Sequence, residues 1–190
     1  MGTGAIIGII IGVIVLIIVI WLIAGYNGFV KGNNNVQEAF ATMDVYLKKR
    51  YDLIPNLVET VKGYAKHESE TLQKVTEARN IAVSAESVED KVKGENMLTG
   101  ALKSLFAVSE AYPDLKANQN FMDLQNQLKQ VEQDIANARK YYNAVVKNFN
   151  NMCQMFPSNI IGNMFHFQPK EMFEVEAEAE RENVKVDFNA

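Results

Sequence analysis

The sequence predicts an all-α protein: an N-terminal transmembrane helix, then an up-and-down four-helix bundle, then an irregular C-terminal tail. Three observations carry that prediction. Ala5 to Ala24 is a run of twenty residues without a charge. Apolar residues from Phe121 to Phe156 recur at steps of three and four without a miss, a rhythm that helices produce and strands do not. Pro157 then ends that rhythm, and an acidic stretch follows. The expected organisation is a short external N-terminus over 1–4, a membrane helix over 5–24, a juxtamembrane segment over 25–35, a cytoplasmic helical bundle over 36–156 and a tail over 157–190.

Composition excludes several classes. A chain of 190 residues is one domain's worth. The single Cys153 excludes a disulfide framework within the chain. A net charge of -4 argues against a nucleic-acid partner, which calls for a basic patch. Four prolines, with no Gly/Ser or Gln/Asn tract, argue against a largely disordered chain.

Twenty helical residues at about 1.5 Å each span about 30 Å, the thickness of a bilayer's hydrocarbon core. A cleaved signal peptide would have a basic start and an apolar core of only about 7–15 residues. Here no Lys or Arg precedes the run, so an uncleaved anchor is expected. Trp21, Tyr26 and Phe29 fall where an interfacial aromatic belt would sit. The first basic residues come after the span: Lys31, then Lys48, Lys49 and Arg50. The positive-inside rule therefore places the N-terminus outside and the bundle in the cytoplasm of a single-pass membrane protein. Gly4, Gly8 and Gly12 recur every fourth residue, on one helix face. Small residues at that spacing let two backbones approach closely in lipid, which predicts a homo-oligomer.

The first bundle helix carries Val36, Phe40, Met43, Leu47, Ile54, Leu57, Val61 and Tyr64 on a three-four register. Pro55 lies inside it, and a proline removes a donor and crowds the preceding turn, so a kink or break is expected near Asp52 to Pro55. Arg50 occupies a register position. The favoured reading is that Tyr51 takes the core site and Arg50 snorkels outward. The alternative is a buried Arg50 with an acidic partner. Glu68 to Ala85 and Ser87 to Tyr112 read as two shorter helices with a turn at Ser84 to Ser87. That turn has no Gly or Pro, so a single long helix, and with it a three-helix bundle, is the alternative. The last helix begins at a cap on Asn118 or Asn120 and stops at Pro157.

In a four-helix topology that last helix returns toward the membrane, and the three-helix alternative carries Phe156 roughly 58 Å away from it. The apolar cluster Ile160, Ile161, Met164, Phe165 and Phe167 is then expected to pack against the bundle or a neighbouring subunit close to the bilayer. Behind it, the acidic residues from Glu171 to Glu182 read as a solvated face, and Val184, Val186 and Phe188 alternate as an extended segment does.

No chemistry-bearing motif emerges. A di-iron site in a bundle needs two Glu-x-x-His motifs, and neither His67 nor His166 follows a Glu by three. One Cys and two distant His do not supply an ordinary zinc set. Cys153 follows core residue Met152 and reads as packing. There is no phosphate-cradling loop and no nucleophile elbow. No catalytic residue, no cofactor and no metal are expected.

Several strings carry a resemblance. They are Lys49-Arg50-Tyr51-Asp52-Leu53-Ile54-Pro55-Asn56-Leu57-Val58-Glu59-Thr60-Val61 with Gly63-Tyr64-Ala65, Ala78-Arg79, and Tyr112-Pro113-Asp114-Leu115-Lys116-Ala117 with Asn120-Phe121. Ala138-Arg139 with Tyr142-Asn143, Phe156-Pro157-Ser158-Asn159 and Lys185-Val186-Asp187-Phe188 extend it over nearly the whole chain. Together they resemble the LemA family of bacterial proteins. The resemblance implies a membrane-anchored four-helix bundle facing the cytoplasm, with no catalytic residues to carry over. One relative is associated with building internal magnetosome membranes, and a membrane metalloprotease is a candidate partner by association. The function expected is a non-enzymatic scaffold that self-associates and organises or shapes the bacterial membrane. The alternative is an adaptor for a membrane protease or a cell-envelope stress partner.

Overall fold

A computed structural model describes residues 2–174. Six helices follow one another: α1 (Thr3–Tyr64), α2 (Ser69–Ser84), α3 (Val88–Ser109), α4 (Pro113–Lys116), α5 (Gln119–Gln154) and α6 (Ser158–Met164). No strand occurs among the described residues. The acidic residues beyond Glu174, with Val184, Val186 and Phe188, lie outside the described residues.

The chain divides into two compact units. One comprises residues 1–46 and 133–172, and the other begins with 47–132 and takes up the chain again at Phe173.

In the first unit α1 and α5 run antiparallel. Phe40 meets Tyr142 at 5.7 Å between ring centroids, and Phe29 meets Phe149 at 6.1 Å. The facing stripes are those the apolar rhythm marks out. Val36, Ala39 and Met43 are buried on α1, and Ile135, Ala138, Tyr142, Val146 and Phe149 on α5. The three-four rhythm from Phe121 passes through Tyr142, Val145 and Phe149, but Val146 takes the core position and Val145 is half-buried. The approach is tightest at Gly32, and ordinary at Gly28. A Cβ on Gly32 would stand 3.1 Å from the Phe149 ring, and one on Gly28 3.6 Å from the Met152 methyl. Residues 25–35, the juxtamembrane segment, are uninterrupted helix within α1.

In the second unit the upper part of α1 packs with α2, α3 and the start of α5 around Leu47, Ile54, Leu57, Val75, Leu98, Leu105 and Val131. The turn between α2 and α3 is built by a serine. Ser87 caps α3, its Oγ accepting from the Asp90 backbone N–H at 3.0 Å and donating to Asp90 Oδ2 at 2.7 Å. That local cap, rather than Gly or Pro, stops the single long helix of the three-helix alternative. Asn118 caps α5, its Oδ1 accepting from Phe121 N–H at 2.9 Å.

Two expectations need correction. Of the kink or break expected near Asp52 to Pro55, the break does not occur, since Pro55 lies inside continuous α1. Tyr64 is exposed and Ala65 is buried in its place.

Candidate functional site

Two constellations could carry function, one in each unit. The first begins with the apolar stretch of α1. That helix holds a segment of mean hydropathy 3.5, long and apolar enough to cross a membrane, none of it buried within the chain. Gly4, Gly8 and Gly12 have no neighbour within 4 Å of where a Cβ would lie. Trp21 and Tyr26 are partly exposed at the end of this stretch. Phe29 is not: it is fully buried, stacked on Phe167 at 4.8 Å and edge-on to Phe149. Phe29 is therefore a core residue, not an interfacial anchor, because the tail folds back over it.

That fold-back is made by α6 and its exit. Ile161 is buried, and its Cδ1 occupies the space where a Cβ on Gly25 would be. Phe165 lies against Tyr26 at 4.8 Å. The helix ends in a left-handed turn at His166, with φ of 59°. The N–H of Phe167 donates to Gly162 O at 2.9 Å and that of His166 to Asn163 O at 3.3 Å, a paired termination that satisfies the last carbonyls. Ile160 and Met164 remain exposed. Phe156 is 79% exposed, so it closes no core stripe. Beyond the turn, Asn150 brackets Lys170: its Nδ2 donates to Lys170 O at 2.8 Å and its Oδ1 accepts from Lys170 N–H at 2.7 Å. Tyr142 Oη donates to Glu171 O at 3.0 Å.

The second constellation centres on Arg50. The outward-snorkelling reading gives way, since Arg50 is 1% exposed. Its Nη1 donates to Glu95 Oε2 at 2.7 Å. Its Nη2 donates to Thr99 Oγ1 at 2.9 Å and lies 2.9 Å from Glu132 Oε1. Tyr51, also buried, donates its Oη to Glu95 Oε1 at 2.6 Å. A charge this far from water persists only when paired and hydrogen-bonded, and Glu95 meets that condition on both oxygens. The cluster ties α1, α3 and α5 together. Glu95 and Glu132 were not singled out from sequence. The available signal was Glu95's position, three residues after Val92 and three before Leu98, where α3's apolar stripe expects a hydrophobe.

Reactive groups are not poised. Burial pushes the Cys153 thiol above its usual value, with Lys170 lowering it in part, so the thiol form is favoured at neutral pH. Among the described residues no three His, Cys, Asp or Glu side chains gather as a metal-holding group.

Comparisons with known proteins agree with one another. The model of the LemA family matches residues 39–188. Protein LemA of Metamycoplasma hominis is 27% identical over 165 residues, covering 85% of this chain and 73% of its own length. Magnetosome proteins MamQ 1 and MamQ 2 of Paramagnetospirillum magneticum are each 25% identical over 179 residues, covering 80% of this chain and 66% of theirs.

Proposed function

The chain belongs to the LemA family, and from that premise we propose that it is a membrane-anchored scaffold, self-associating through its span and organising or shaping the membrane it enters. The observation that carries this reading is the bare Gly4, Gly8 and Gly12 face on an apolar helix segment that buries nothing against its own chain. In lipid such a face gains from packing against another helix, because backbones can touch. Two relatives named as magnetosome proteins fit a role tied to membrane organisation. The bundle, on the positive-inside argument, faces the cytoplasm. No residue is assigned a catalytic role.

The test is the size of the particle extracted in mild detergent. The wild-type chain should run as a uniform oligomer, and Gly8→Ile and Gly12→Ile should each shift it toward smaller species, since bulk there separates the backbones. An unchanged size in both variants would sink the scaffold reading. A small wild-type particle that co-purifies with a membrane protease would favour the adaptor instead.

A further inference from the structure

The end of the first unit that carries the span changes character in layers. No Asp, Glu, Lys or Arg occurs before Lys31, and residues 148–169, which close α5 and form α6 and its exit, contain none either. These two charge-free stretches lie side by side, with Gly28 facing Met152 and Gly25 facing Ile161. The first charges beyond them are three exposed lysines at one level. Lys31 adjoins Gly32, which faces Phe149. Lys147 comes two residues before Phe149, and Lys170 is held by Asn150. The acids of this unit come later. Glu38 on α1, and Glu171 tied by its carbonyl to Tyr142, each lie about 10 Å further from the span, at about 1.5 Å per residue.

On the span side of the lysines the surface is apolar. Met155, Phe156, Ile160, Met164 and Phe165 are all exposed. Phe165 reaches the span itself, lining an apolar hollow of about 270 Å³ with Leu22, Ile23 and Tyr26. A contiguous exposed apolar patch of this kind marks an interaction surface.

We propose that the elbow between α5 and α6 is a second membrane contact, its five apolar side chains seated in the interfacial layer of the bilayer, beside the span and in one leaflet. The proposal rests on the span lying in a membrane and is independent of whether spans associate. Three observations support it. The first is continuity. Ile161 fixes α6 against Gly25, and the Phe165 hollow joins the patch to the span's own open apolar surface, so the lipid that solvates the span reaches the elbow as well. The second is depth. Phe156 lies seven residues past Phe149, about 10 Å beyond the lysine level. An interfacial apolar face reaches about 5–10 Å into the headgroup and acyl boundary. The third is charge. The lysines fall where they meet lipid phosphates, the inserted part has no charge to dehydrate, and the acids stand clear of an anionic surface.

The experiment uses the full chain reconstituted in phosphatidylcholine vesicles and reads tryptophan fluorescence. The native Trp21 reports on the span. Phe156→Trp and Met164→Trp report on the elbow, and Tyr141→Trp is the control, each made with Trp21→Phe. Tyr141 is exposed on the same helix, about 22 Å before Phe156. Lipid brominated on its acyl chains should quench Trp21 and both elbow reporters several-fold more strongly than the control, and aqueous iodide should give the reverse order. The lipid quenching should persist as the chains are diluted in lipid. Elbow reporters quenched no more than the control, with Trp21 quenched, would overturn the proposal and leave the anchor standing. An unquenched Trp21 would overturn both. Elbow reporters shielded from iodide yet untouched by brominated lipid would place a second copy of the chain on the patch, which also overturns the proposal.

Discussion

Arg79 donates its Nε hydrogen to the carbonyl oxygen of Tyr51 at 3.4 Å, and Tyr51 is the residue whose helical donor would be the N–H of position 55, where proline has none. A side chain from α2 thus stands in for part of α1's own ladder at the position where a break was expected. The bond is long, so its worth is at the low end of the usual range of about 0.5–1.5 kcal/mol. Arg79→Ala should destabilise the wild-type chain by about that amount. In a Pro55→Ala background, where residue 55 again donates, the same change should cost less. Chemical denaturation of the four proteins of this cycle measures the difference, and equal costs in both backgrounds would remove the compensating role.

The Arg50 cluster makes a larger prediction. Arg50→Ala leaves the buried Glu95 carboxylate without its cation and should cost about 3–5 kcal/mol. Replacing both partners, Arg50→Met with Glu95→Met, removes the stranded charge and should recover most of that loss. Denaturant midpoints of the single and double variants decide the matter. A double variant no more stable than Arg50→Ala would mean that the network, not the isolated charge, carries the cost.

Two glycines of α3 should respond in opposite directions to the same change. A Cβ on Gly94 would stand 2.7 Å from Ala82 Cα and 3.0 Å from Ala82 N, both backbone atoms that cannot step aside. Overpacking of about 1–3 kcal/mol should exceed the gain of about 1 kcal/mol in helix propensity, so Gly94→Ala should lower the melting temperature. Gly100 has nothing within 4 Å. Gly100→Ala should therefore raise it, and differential scanning fluorimetry reads both.

Tyr142 gives the pH prediction. Burial pushes its phenol above the ordinary value of 10.0, and the nearby Glu171 carboxylate adds to the shift. A folded-state value above the unfolded one stabilises the neutral form. The contribution is complete below pH 10.0 and is lost as pH rises through the folded value. In a Cys153→Ser background, stability should hold through neutral pH and fall at alkaline pH. Tyr142→Phe should flatten that fall, as seen in unfolding midpoints taken across the alkaline range.

Much of the fold was legible because it rests on period. The stripes of α1 and α5 are plain from the spacing of Leu47, Ile54, Leu57, Leu128, Val131 and Ile135, and no tertiary partner is needed to read them. What escaped depends on groups far apart in sequence. Arg50 looked like a snorkelling residue because its partner Glu95 lies on another helix, and Glu95 itself looked like an interruption of a stripe. Phe29 looked like a membrane anchor because Phe167, which covers it, comes so much later in the chain. Pro55 looked like a kink or break because Arg79's reach to Tyr51 cannot be inferred from local propensity.

The stacking of Phe29 on Phe167 also sets an order of events during synthesis. At about 5–20 residues per second, Phe167 leaves the ribosome on the order of ten seconds after Phe29. Through that interval the ring just beyond the apolar span lacks its stacking partner, and until α5 is made it lacks Phe149 as well. The α2–α3 hairpin, whose contacts are local, can close well before α1 acquires its distant partner α5. Nascent chains stalled before α5 would thus carry α1 with the Phe29 ring bare of both its aromatic neighbours, and chains stalled before α6 would have Phe149 against it but not Phe167.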